Sequence, residues 1–151
     1  MSIDKSLISQ YLNGTKFIVL ATVNDDQTPV LRSLGSFVAD GLTTYFSTNK
    51  NSAKVNHIKS NPKVSILFQH ENQELPSFVN VSISGKANEL TESEELAKAI
   101  QLIGTRNPKF RERAEKGELS DNVFFRVEPQ EVKVLDFGKG AGSEAVQVIA
   151  V

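Results

Sequence analysis

From Phe17 to Ala87 the chain carries five strand-like runs, most of them joined by pieces of turn length. That combination argues against a parallel sheet, because a parallel crossover needs about a dozen residues or more. Residues 17–23 form a continuous apolar run rich in β-branched side chains, the pattern of a strand covered on both faces. Asn24 to Thr28 is turn chemistry, and Pro29 opens a second strand over 30–39. Gly35 within it predicts a bulge or a close backbone approach. Asp40-Gly41 is a hairpin signal into 42–47. After a short helix over 52–60, strands are predicted at 64–68 and 78–87. In the latter, Val79, Val81 and Ile83 alternate with Asn80, Ser82 and Ser84.

Helical signals flank this core. Ile3, Leu7, Ile8, Tyr11 and Leu12 are spaced for a helix over 3–13 that stops at Gly14. Thr91 with Glu94 forms a capping box for a helix through Ile103. Asn107-Pro108 starts another helix, with Gly117 past its end. Strands at 123–127 and 132–135 complete the reading. No repeat or linker divides the chain, so residues 1–151 are expected to form one domain. The expected fold is mostly β with flanking helices: an antiparallel barrel of six or seven strands.

Composition narrows function by exclusion. Seventeen basic and eighteen acidic residues leave no field that would draw in nucleic acid or an anionic membrane. No run approaches the roughly 20 apolar residues that span a bilayer. The N-terminus lacks the layout of a signal peptide, and a cytoplasmic location is the expectation. Without cysteine there is no disulfide, thiolate metal site or thiol nucleophile. No metal-spaced histidines and no Ser/His/Asp arrangement appear. His57 reads as a surface residue, and His70 as a residue at a pocket mouth.

The segment from Tyr45 to Lys54 carries the chemistry. It reads as a strand with a polar end, a tight loop, and the first turn of a helix with Ser52 at its N-cap. Free amides and the positive dipole end at such a place favour a phosphate. Lys54 adds a mobile cation, and Arg32 offers a planar fork of donors from a neighbouring strand. Each has a plainer explanation. Arg32, sharing a face with Val30, Leu34 and Val38 if the strand ran without a bulge, would pair with Asp25 or Asp26. Ser52 and Lys54 would be an ordinary cap and an exposed lysine.

These residues resemble those of the pyridoxamine 5′-phosphate oxidase-like flavoproteins, the FMN-binding split-barrel family. The likeness runs through 17–23, Arg32-Ser-Leu-Gly-Ser-Phe37, Tyr45-Phe-Ser-Thr-Asn49, Ser52-Ala-Lys54, 61–68 and 81–87. It implies a split β-barrel in which Arg32, Lys54, Thr48 and Ser52 contact the FMN phosphate. The backbone of Ser33, Leu34, Gly35 and Phe37 would follow the isoalloxazine edge, beside Ser47. Asn80 stands where family members often carry a Gln whose amide meets the polar ring edge. Two subunits would enclose each flavin as a homodimer.

Departures bear on substrate. Ala53 replaces a second basic residue found in many of the oxidases, and Phe37 stands where the pyridoxamine phosphate oxidases carry Lys. The chain has no Trp and lacks their C-terminal segment, so vitamin B6 oxidation is disfavoured. The glycine-rich stretch from Leu135 to Ser143 resembles the general-stress-protein-like branch instead. The resemblance implies an FMN-dependent oxidoreductase acting on a small molecule, with a nicotinamide donor. The alternative is a non-catalytic module that binds or senses flavin, or a relative for haem or a deazaflavin. For haem, His70 is the one weak axial candidate.

Overall fold

The computed structural model describes residues 4–151, so Ile3 of the predicted first helix lies outside them. Strand β1 (Ile18–Val23) pairs antiparallel with both β2 (Pro29–Leu34) and β5 (Lys63–Gln69). Beyond β5 come β6 (Val79–Glu89), β7 (Asn122–Asp136), β4 (Thr43–Asn49) and β3 (Phe37–Asp40). The path runs β2-β1-β5-β6-β7-β4-β3, and β8 (Val146–Ile149) adds to β7. Its two end strands, β2 and β3, are consecutive in the chain. The sheet therefore curls until its ends meet at the Gly35-Ser36 bend, closed there by covalent chain and not by a hydrogen-bond ladder. This is a split barrel.

The bend replaces the single bulged strand predicted over 30–39. Leu34 and Phe37, on either side of it, are both buried. Gly35 lies so close to Phe17 that a Cβ there would sit 3.2 Å from the ring. Ser36 then accepts from the Ser47 amide at 2.9 Å, which hands the chain from β1 to β4.

Apolar alternation fills the barrel with Ile18, Leu20, Phe37, Phe46, Phe68, Ile83 and Phe125. Helix α1 (Lys5–Asn13) contributes Ile8 and Leu12 to this core. Its last residue protects the β3 edge: the Asn13 amide donates to Ala39 O and accepts from Ala39 N, both at 2.8 Å. Helix α2 (Ala53–Ser60) links β4 to β5 and buries Val55 and Ile58. Helices α3 (Ser93–Arg106) and α4 (Pro108–Glu115) form a second cluster with Tyr45 and Phe124.

Three local predictions differ from the structure. The cap of α3 is Glu92, whose carboxylate accepts from the Glu94 amide at 3.3 Å, and not Thr91. The runs 123–127 and 132–135 are one strand, β7, which the sequence interrupts visually with Pro129. A register shift at Ser84/Gly85 absorbs that proline, whose missing N–H breaks the ladder. Strand β8 was not predicted, since Val146 to Ile149 is too short to stand out.

The bulge depends on the absence of a side chain. A Cβ on Gly85 would lie 1.9 Å from the Glu128 carbonyl oxygen. Gly85→Ala should therefore destabilise the protein by about 3 kcal/mol or more, read as a lower urea midpoint at unchanged slope.

Candidate functional site: a cationic cluster at one end of the barrel

Arg32 projects from β2 toward the barrel interior, on the same face as Val30 and the buried Leu34. It sits opposite Leu20 in the β1 ladder. One terminal nitrogen donates to Leu20 O (3.2 Å), Val30 O (3.1 Å) and Thr22 Oγ1 (2.7 Å). The other lies 3.5 Å from His57 Nδ1. All these partners are neutral. Asp25 and Asp26 line a cavity of about 330 Å³ with Asn24, Ala53, Asn56 and His57, and neither forms an ion pair with Arg32. The ion-pair explanation for Arg32 is not what the fold adopts.

The strand end and helix start predicted to hold an anion form one polar chain. Lys54 Nζ donates to Thr48 Oγ1 at 2.7 Å. Thr48 and Ser52 hydroxyls are 3.2 Å apart, and Ser52 Oγ donates to Asn49 O at 2.9 Å. Since Ser52 gives its proton to Asn49, Thr48 must be the donor to Ser52. Ser52 thus occupies the N-cap position of α2 without capping it by its side chain, and the helix start keeps uncapped amides. The Ser52 hydroxyl is turned toward the loop, donating to Asn49 O and accepting from Thr48, instead of toward the amides of the first turn.

A second relay was missed in the sequence. Thr22, fully buried, accepts from Arg32 and stands 2.9 Å from His57 Nδ1. With Arg32 also facing that nitrogen, Nδ1 is the acceptor of the Thr22 proton, and His57 carries its proton on Nε2. Far from being a plain surface residue, His57 is half-buried and holds Arg32 through Thr22. Its position three residues after Lys54 places both on one face of α2, a signal readable from the sequence.

The electrostatics are one-sided. Burial holds the Arg32 guanidinium below its ordinary range. Burial first, and then the charge of Arg32, hold the Lys54 ammonium below its ordinary value of 10.5. Neither cation has a carboxylate partner among the described residues. Two cations that raise each other's cost, flanked by three hydroxyls and a helix N-terminus, form an arrangement completed by an anion.

The remaining predicted residues lie apart. The Leu34 and Phe37 side chains belong to the core, so only their backbone is available to a ligand. Ser33 is exposed. Ser47 is buried, its hydroxyl accepting from Asn122 Nδ2 at 2.8 Å. Asn80 lies on β6 with Ser82 and Ser84, away from the core-facing side chains, and donates to Gln69 Oε1 at 3.2 Å. By register it belongs near the Ile18 end of β1, whereas Thr22 and the cluster mark the other end, about 13 Å along the strand. His70 stacks on Tyr11, with centroids 3.8 Å apart, and its Nε2 lies 2.8 Å from Tyr11 O.

Sequence reasoning also passed over Arg106. Its guanidinium donates to the carbonyls of Asn13 (3.3 Å), Gly35 (3.4 Å), Phe37 (3.3 Å) and Thr15, and lies 3.8 Å from the Phe37 ring centroid. It fastens α1, the Gly35 bend and β3 to the end of α3. A cation in the last turn of a helix reads as a match to the dipole, which conceals such a role.

A model of the family described as pyridoxamine 5′-phosphate oxidase matches residues 5–136, most of the chain. The chain belongs to this family. Solved structures agree on the fold. A conserved hypothetical protein of Mycobacterium tuberculosis superposes with a TM-score of 0.76 at 20% identity, over 96% of each chain. The haem storage protein HutZ of Vibrio cholerae gives 0.69 at 22% identity, over 87% of this chain and 94% of its own. General Stress Protein 26 of Bacillus anthracis gives 0.65 at 22% identity, over 86% and 92%. No curated protein matches. Within the family's fold, Arg106 has the structural duty just described. Replacing it with Met should leave four carbonyls without a donor and lower stability by about 2 kcal/mol or more. Arg106→Lys should recover only part of that loss, because an ammonium cannot reach all four acceptors. Urea unfolding of the three proteins checks both.

Proposed function

We propose that the cluster binds the phosphate of FMN and that the protein is a flavin-dependent oxidoreductase acting on a small molecule. One observation carries this reading: Arg32 and Lys54 stand together, partly buried, with no carboxylate among the described residues to neutralise them. A phosphate, dianionic above about pH 6, supplies the missing charge and accepts from both. In this reading Arg32, held by Thr22 and His57, offers its remaining donors, and Lys54, Thr48 and Ser52 complete the cradle. The backbone from Ser33 to Phe37, with Ser47 and Asn80, orients the ring system. Bound FMN supplies the electron transfer, with a nicotinamide nucleotide as donor.

We further propose a homodimer. Leu31, the neighbour of Arg32 on the opposite face of β2, is 68% exposed, and a second copy would cover it. A second reading, a non-catalytic haem module, draws on likeness to HutZ and to a haem-binding protein of Mycobacterium smegmatis, a match spanning 59% of that longer chain. Against it, the Nε2 of His70, the axial candidate, is already engaged by the Tyr11 carbonyl.

The visible spectrum of purified protein mixed with FMN or haem separates the two readings. The expected result is retained FMN, reduced anaerobically by a nicotinamide nucleotide. Arg32→Ala/Lys54→Ala should weaken FMN by about a hundred-fold or more while the circular dichroism stays unchanged. Equal FMN affinity in that variant overturns the site.

A pH dependence follows with a definite sign. In the free protein Lys54 loses its proton below 10.5, and a bound phosphate raises that value. Affinity for phosphate should therefore be full below the free-protein value and fall as pH rises through it. In Lys54→Ala this alkaline loss should disappear, which titration of FMN against protein fluorescence would show.

A further inference from the structure

Apart from the cationic cluster, a cavity of about 530 Å³ opens between the end of α1, the residues leading into β1, and the α3–α4 junction. Its charged lining residues are Lys16, Arg106 and Lys109, and no Asp or Glu lines it. None of the three takes part in an ion pair among the described residues. Arg106 also ties up the carbonyl oxygens of Asn13, Thr15, Gly35 and Phe37, whose negative ends would otherwise repel an anion. Lys16 and Lys109 are exposed at the rim.

The wall between these cations is partly apolar, with Asn13, Thr15 and Asn107 beside Phe17 and Pro108. Phe17 is 52% exposed, large for an aromatic ring beside a cavity, and rests against the bare backbone of Gly35. Pro108 adds a second apolar surface at the start of α4. The cavity volume lies within the roughly 300–1,000 Å³ of small-molecule sites. An inorganic anion would satisfy the rim and leave the ring wet, while a neutral aromatic would satisfy the ring and leave the cations without a counter-charge.

We propose that this cleft binds a small aromatic oxyanion, its ring against Phe17 and its carboxylate, sulfonate or phosphate between Lys16 and Lys109. The site shares no charged residue with the Arg32–Lys54 cluster and meets that reading only at Gly35, which lines the cleft and lies in the backbone assigned to the ring system.

The test uses 2-naphthoate as probe, followed by its fluorescence, with neutral 2-naphthamide as control. Wild-type protein should bind 2-naphthoate saturably and 2-naphthamide far more weakly. Lys16→Glu/Lys109→Glu should weaken 2-naphthoate by about ten-fold or more, and Phe17→Ala should weaken it too. Both variants alter exposed side chains and should melt like wild type. Arg32→Ala/Lys54→Ala should bind the probe as wild type does, whether or not FMN binding has been lost. No saturable binding at millimolar probe overturns the proposal, as does equal binding of the amide. So does a loss confined to the Arg32→Ala/Lys54→Ala protein, which would move the probe to the other cluster.

Discussion

Bringing a guanidinium and an ammonium together, each partly out of water, is costly, and each makes the other costlier. The fold tolerates this because Arg32 is held by neutral oxygens from β1 and its own strand, and Lys54 by the Thr48 hydroxyl. These oxygens solvate the charges without cancelling them. A carboxylate in their place would stabilise the free protein more and leave nothing for an anionic ligand to do. The arrangement makes sense as a ground state waiting for negative charge, and the site's chemistry is built outward from that imbalance.

Topology makes the imbalance possible. Strands β1 and β4 are far apart in the sheet order, separated by β5, β6 and β7. Helix α2 leaves β4 and enters β5, β1's neighbour, so it crosses the barrel end and brings Lys54 and His57 to Arg32 and Thr22. Val55 and Ile58, buried on its inner face, fix that crossing by apolar packing, which is insensitive to the state of the charges. At the barrel's opposite end Arg106 closes the split, tying the Gly35 bend to α1 and α3. One end is held by grease and left electrically open. The other is held by a cation whose donors are spent on backbone.

The sequence made much of this legible through local chemistry. Alternation from Val79 to Ser84 reads directly as a two-faced strand, and the ladder of β6 keeps that register until Gly85. Arg32 on a face with Val30 and Leu34 reads correctly because β2 contains no bulge. The split of 30–39 into two strands was not legible, because Gly35 announces an irregularity without saying whether the chain continues or turns. Pro129 misled in the opposite direction: a proline usually ends a strand, and here an extra residue beside it on β7, Gln130, forms a bulge that absorbs it. Ser52 was placed at the right position, but its hydroxyl bonds to Asn49, a choice made by loop geometry.

Residue order alone pointed to the antiparallel barrel, since most connections in its first half are of turn length and too short for parallel crossovers, and it determined that Arg32 and the Thr48–Lys54 segment would be cationic and polar. It could not determine that they meet. Arg32 and Lys54 are separated by two strands and a helix start, and a carboxylate at Asp25 or Asp26 stood nearer in sequence as a partner. Only the curl of the sheet, with α2 packed across its end, decided that the charges face each other and not an acid. Likewise Thr22, His57 and Arg106 acquire their roles through contacts across 10 to 93 residues of chain, which no local pattern encodes. Charge is a property of the residue; its compensation is a property of the packed whole.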